Sequence, residues 1–132
     1  MDRTRERLTI AARALASLRE LAVLQDPTAI ERDAAIQRFE YSFEATWKTT
    51  QRYLVDREGV DVGSPKSAIR ASREAALLED AEATEALAMA DDRNLTAHPY
   101  GEALARAIFA RLLRHLELMK RWTAAMTGRL EK

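Results

Sequence analysis

The stretch Asp91-Asp92-Arg93-Asn94-Leu95-Thr96-Ala97-His98-Pro99-Tyr100 parts two strongly helical runs and decides how the back half of the chain folds. Proline pushes the residue before it out of the α region. The helix carrying Arg93 is therefore expected to end before His98, with Arg93 on its last turn, His98 on the link and a new helix beginning between Pro99 and Glu102. On one continuous helix, residues five apart sit about 140° from each other, so Arg93 and His98 would share no face. In an extended link side chains alternate, which puts His98 and Tyr100 on the same side. Arginine brings a permanent cation with a planar fork of donors, and histidine changes charge near neutral pH. The start of the next helix favours an anion. Arg93, His98, the Tyr100 hydroxyl and that helix start are expected to meet at one concavity suited to a phosphate. A plainer alternative stays open, because an Arg beside two Asp also makes a surface ion pair and a His before Pro also serves as a polar linker.

Composition sets the frame around this stretch. With 132 residues the chain has room for one domain with a core, spanning 1–132, and hardly for two. Hydrophobic residues make up 47% and aromatic residues 6%, with only four Gly, a balance that favours an all-helical domain. The formal net charge is zero, so attraction to nucleic acid or membrane has to come from a local patch. The absence of cysteine excludes disulfides and thiolate metal sites and is compatible with a reducing cytosol. Met1-Asp2-Arg3-Thr4-Arg5-Glu6-Arg7 leads into an amphipathic helix rather than an apolar signal core. No apolar run approaches the length that spans a bilayer. A cytoplasmic protein without membrane contact is expected.

Hydrophobic periodicity predicts the helices. The first runs over about Asp2 to Leu24, with Leu8, Ala11, Ala12, Leu15, Leu18 and Ala22 on one stripe, and Asp26-Pro27-Thr28 ends it. The second runs from about Thr28 to Val55 or Asp56. Ile36, Phe39, Phe43, Trp47 and Leu54 form its inner stripe, the expected spine of the core, and Tyr41, Ala45 and Tyr53 widen it. Arg38, Glu40, Glu44 and Lys48 are spaced for ion pairs along the same helix. Arg57 to Gly63 reads as a loop. Ser64 as N-cap and Pro65 at the first position start a third helix to about Leu78. A fourth covers about Asp80 to Asn94 or Leu95, with Ala83, Leu87 and Ala90 or Met89 inward.

The last helix is expected from about Gly101 to Arg129 without a break. Ile108, Leu112, His115, Met119, Trp122 and Met126 form a heptad-like seam on it. Phe109, Leu113, Leu116 and Leu118 add apolar surface, enough for packing on two sides, against the bundle and a second subunit. His115 reads as a packed or interfacial histidine, since no second His, no Cys and no carboxylate cluster has metal-ligand spacing with it. Neither a metal nor a cofactor is expected. The chain contains no Gly-rich phosphate loop, HExxH, CxxC or G-x-S-x-G and no internal repeat.

Charge is uneven along the chain although it sums to zero. Glu74, Glu79, Asp80, Glu82, Glu85, Asp91 and Asp92 crowd the middle, and Arg106, Arg111, Arg114, Lys120, Arg121, Arg129 and Lys132 crowd the end. The acidic run opposes nucleic acid. The basic run suits nucleic acid or an acidic protein, although a solvated face is its commoner meaning.

Two segments resemble the HEPN family: Ile36-Gln37-Arg38-Phe39-Glu40-Tyr41-Ser42-Phe43-Glu44-Ala45-Thr46-Trp47-Lys48-Thr49, and Asp91 through Tyr100. More narrowly they resemble its small stand-alone members, the nucleotidyltransferase substrate-binding proteins. The Ser64-Pro65 helix start and Ile69-Arg70 also fit, so the resemblance covers nearly the whole chain. It implies an all-α, up-and-down four-helix bundle with an additional short helix, forming a homodimer and partnering a minimal nucleotidyltransferase. Arg93 and His98 match the family's Arg-x4-6-His motif, which marks the ribonuclease site of toxin members in toxin–antitoxin pairs. The polar residue often found after the Arg is matched by Asn94, which would contact the RNA or nucleotide substrate. In the R-x4-H-x-Y form, matched through Tyr100, the tyrosine is adenylylated by the partner enzyme and the toxin is silenced. Two functions follow as expectations: a metal-independent endoribonuclease, or a non-catalytic subunit that binds a nucleotide or other substrate for the nucleotidyltransferase. Pro99 inside the H-x-Y and Gly101 at a position where a capping polar residue is common depart from the pattern.

Overall fold

The computed structural model describes residues 2–132; Met1 lies outside it. Six α-helices follow one another: α1 (Arg3–Ala22), α2 (Ala29–Tyr53), α3 (Pro65–Glu74), α4 (Asp80–Thr96), α5 (Glu102–Phe109) and α6 (Leu112–Leu130). The chain is all-α. α1, α2, α4 and the α5–α6 pair form the four limbs of an up-and-down bundle, and α3 is the additional short helix.

Local chemistry sets the starts of these helices. Asp2 accepts from the backbone N–H of Thr4 at 2.9 Å, and Thr28 and Glu31 close a reciprocal capping box at the head of α2. Ser64 caps α3 with Pro65 just inside, as its sequence predicts. Each such cap contributes about 1 kcal/mol by satisfying N–H groups that the helix itself leaves unpaired.

The core forms where the inner stripes meet. Ile36, Phe39, Phe43, Trp47, Tyr53 and Leu54 of the second limb are buried against Leu15, Leu18 and Ala22 of α1 and against Ile108, Leu112, Met119, Trp122 and Met126 of the fourth. Every position of the heptad-like seam, His115 included, is buried within the single chain. Leu116 and Leu118 are buried as well, while Leu113 is exposed. Tyr41 does not widen the core as the sequence suggests; it is 62% exposed on the outer side of α2. Ala12 of α1 is likewise outward, on the rim of an apolar groove between α1 and α6.

Three boundaries differ from the periodic reading. α2 continues into a π-helical turn over Leu54–Glu58 that ends at Gly59, whose φ of +66° is left-handed and suits a residue without Cβ. α3 stops at Glu74, four residues early, because Ala76 takes φ +61° and turns Leu77 and Leu78 inward to join the core. The final helix is broken at Ala110 and Arg111, where the Arg111 N–H bonds the Ile108 carbonyl three residues back, the tighter 3₁₀ spacing. The turn lies where Arg111 reaches across to α4. Among the described residues no helix is long and apolar enough to cross a membrane.

Candidate functional site

Arg93 occupies the last turn of α4, and His98 lies beyond it in the turn that follows, as the proline predicts. The Arg93 Nη1 is 3.3 Å from Glu40 Oε2 of α2. The same carboxylate oxygen is 2.9 Å from the hydroxyl of Thr96, which is also 2.8 Å from the Arg93 carbonyl. Glu40 and Thr96 thus hold the end of α4 against α2 and fix where the guanidinium sits. The Arg93 side chain keeps 30% of its surface exposed, so it remains available to a ligand.

His98 is exposed, and among the described residues its imidazole has no hydrogen-bond partner. Tyr100 behaves differently. It is half-buried and packs against the core cluster. Burial, with the negative charges of Asp33 and Glu40 nearby, raises its phenol above the usual 10.0. Residues 97 and 98 form a turn, with Ala97 still in the helical region, so the link is not extended through His98. The alternation expected of an extended strand therefore fails, and one residue faces solvent while the other turns inward.

Two hollows flank this corner. Arg93 and Asn94 line one of ≈ 490 Å³ together with Phe43, Glu44, Trp47, Ser64, Pro65, Lys66, Ala90 and Ala97. Tyr100 lines another of ≈ 260 Å³ with Arg32, Asp33, Gly101 and Glu102, at the start of α5. His98 lines neither. Within one chain, then, the guanidinium, imidazole and phenol do not share one concavity as expected from the sequence. Glu40 is what connects two of them, bonded to Arg93 and felt electrostatically by Tyr100.

Comparison with known proteins gives this corner its context. A family described as nucleotidyltransferase substrate binding protein like matches residues 6–128. The chain belongs to this family. A crystal structure of a protein from Thermus thermophilus is 56% identical to it, with a TM-score of 0.84, covering 92% of this chain and 99% of that one. A chain from the toxin–antitoxin pair MntA-HpeT, solved in a mutant form, has a TM-score of 0.78 at 15% identity, covering 97% of this chain and 99% of its own. That second likeness is one of fold. No match to a curated protein sequence was found.

This nucleotidyltransferase substrate binding family member also carries a polar cluster that its periodicity conceals. Arg111 chelates Asp92 through Nε at 2.8 Å and Nη2 at 2.7 Å, and His115 Nε2 lies 2.7 Å from Asp92 Oδ2. The His115 ring stacks on Phe39 with centroids 5.3 Å apart. Burial holds His115 below its ordinary 6.5 despite Asp92, which leaves it neutral at pH 7 with Nε2–H donating. Burial pushes the Asp92 carboxyl up, but the Arg111 and His115 hydrogen bonds outweigh it and bring the group below 3.8. One signal for this was present in the sequence. Asp92 follows Ala86 and Met89 at threefold spacing and so falls on the inner face of α4, where a charge requires partners.

Proposed function

We propose that the chain partners a small nucleotidyltransferase and, as a homodimer, cleaves RNA without metal through Arg93 and His98. His98 takes the proton from a ribose 2′-OH, whose oxygen attacks the adjacent phosphorus. The bond to the 5′-oxygen breaks, and His98 of the second copy returns a proton to that oxygen, leaving a 2′,3′-cyclic phosphate. Arg93 stabilises the charge on the pentacovalent phosphorus and Asn94 orients the strand. The observation that carries this is the unpartnered, exposed His98 one turn beyond an Arg93 that opens onto a nucleotide-sized hollow. Exposed Leu95, between those two residues, and exposed Ile30 and Tyr41 on α2 offer apolar surface for a second copy to cover.

Tyr100 is the acceptor of the regulatory modification. Its phenolic oxygen attacks the α-phosphorus of ATP in the nucleotidyltransferase site, pyrophosphate leaves, and the phenol proton is lost. The adenylate adds bulk and negative charge beside the motif and competes for Arg93.

The Glu40–Arg93 pair and the separation of the two hollows favour a second reading, in which the same residues bind a nucleotide or other substrate for the nucleotidyltransferase without cleaving it. Purified protein incubated with single-stranded RNA in EDTA separates the two. Cleavage that His98→Ala abolishes, with a matched DNA left intact, supports the nuclease; intact RNA leaves the binding subunit. Adenylylation is checked by the mass of the protein after incubation with its nucleotidyltransferase and ATP, where Tyr100→Phe must gain no adenylate.

A further inference from the structure

The hollow beside Arg93 has the make-up of a nucleotide site in residues outside the R-x4-H-x-Y motif. Its floor is apolar, from Phe43, Ala90, Ala97 and the indole of Trp47, which is 6% exposed. Its rim is polar, from Lys66, Arg93, Asn94 and Glu44. Small-molecule sites combine such a floor with a few fixed polar groups. Trp47 is locked in place, its Nε1–H donating to Glu44 Oε2 at 3.0 Å and Lys48 Nζ lying 4.6 Å over its ring. Lys66 reaches the rim from the first turn of α3, a different element from Arg93, and is held there by Asp91 Oδ1 at 2.7 Å.

We infer that this hollow seats one nucleotide unit, with its base over the apolar floor at Trp47 and its phosphate between Lys66 and Arg93. The inference rests on the reading of Arg93 as a phosphate-handling group. Glu44 spends one oxygen on Trp47, and its other oxygen accepts from an exocyclic amino group, so bases that carry one, adenine among them, are preferred over uracil. Asn94 supplies both a donor and an acceptor for the base edge. Lys66 acts as a compact point charge on the phosphate, where its Asp91 pair is exchanged for the ligand.

The test follows the two indole N–H resonances of the purified protein during titration with AMP, adenosine and UMP. Only Trp47 borders the hollow; Trp122 is buried and donates to Ser72 Oγ at 3.1 Å, so it serves as an internal control. AMP should shift the Trp47 signal and spare Trp122, and bind at least fivefold more tightly than UMP. Lys66→Gln should weaken AMP at least fivefold and adenosine hardly at all, with the melting temperature little changed, because 40% of the Lys66 side chain is in solvent and its pair with Asp91 is a surface one. Shifts at neither indole, equal shifts at both, or an unaltered AMP affinity in Lys66→Gln overturn the nucleotide seat. Wild-type protein that cleaves RNA while failing these criteria keeps the nuclease reading and loses this one. Protein that meets them without cleaving RNA loses the nuclease and keeps the seat.

Discussion

His115 Nε2 and Asp92 Oδ2 stand 2.7 Å apart across the contact between α6 and α4, both residues buried, with Arg111 gripping the same carboxylate from one turn earlier. This makes the fourth limb and α4 a pH-dependent pair. His115 takes up its proton less readily in the folded chain than in the unfolded one, so acid favours unfolding. Stability from this group is full above 6.5 and declines as the pH falls below that value. Asp92, lowered in the folded state, adds a second loss below 3.8. Urea unfolding from pH 8 to pH 3 should show both limbs, and His115→Gln should remove the upper one. An identical slope between pH 6.5 and pH 5 in that variant would contradict the assignment.

Removing the carboxylate strands its partners. Asp92→Ala leaves the buried Nε2–H of His115 without an acceptor and frees Arg111, costing about 2–3 kcal/mol. Thermal unfolding should register it as a clear drop. Arg111→Ala should cost less, because 42% of its side chain is in solvent and His115 still donates to Asp92.

Glu40 restrains both neighbours. Glu40→Gln should free the Arg93 guanidinium and strengthen AMP binding severalfold at low salt. It should also lower the Tyr100 phenol toward 10.0 without reaching it, since burial, the larger cause, and Asp33 remain. Tyrosinate absorbance between pH 8 and pH 12, compared with Tyr100→Phe as the blank, reads the shift. A Tyr100 titration unmoved by the substitution would show that Glu40 is not felt there.

The two sides of α2 should respond unequally. Phe39 is fully buried and carries the His115 stack, so Phe39→Ala should cost about 3–5 kcal/mol through lost contacts and an unfilled cavity. Tyr41→Ala, on the outer side, should change the stability of the isolated chain by no more than about 0.5 kcal/mol. If two copies associate through that side, the same Tyr41→Ala should weaken the dimer in sedimentation while leaving the monomer's melting unchanged.

The charge runs show why summed composition misleads. The acidic middle and basic end meet each other. Arg121 of α6 lies 3.5 Å from Glu82 and 3.9 Å from Glu85 of α4, and Arg111 takes Asp92. On α2, the four charges spaced for helical pairs go elsewhere. Arg38 donates to the Ser17 carbonyl and Glu20, Glu40 holds Arg93, Glu44 accepts from Trp47, and Lys48 lies over the same indole. Neighbouring helices and the indole offered better partners than the next turn's charges did.

Sequence alone determined the helical class, most of the inner stripes, the Ser64-Pro65 start and the break before His98, because each follows from short-range periodicity, a cap or a proline. Tertiary structure decided the rest. It set which charges pair, it split the final helix at Ala110 and Arg111 where Arg111 reaches Asp92, and it assigned Arg93 and Tyr100 to different hollows. Those outcomes depend on distances between residues far apart in the chain, such as the 56 positions between Glu40 and Thr96, and no local pattern encodes a contact of that kind.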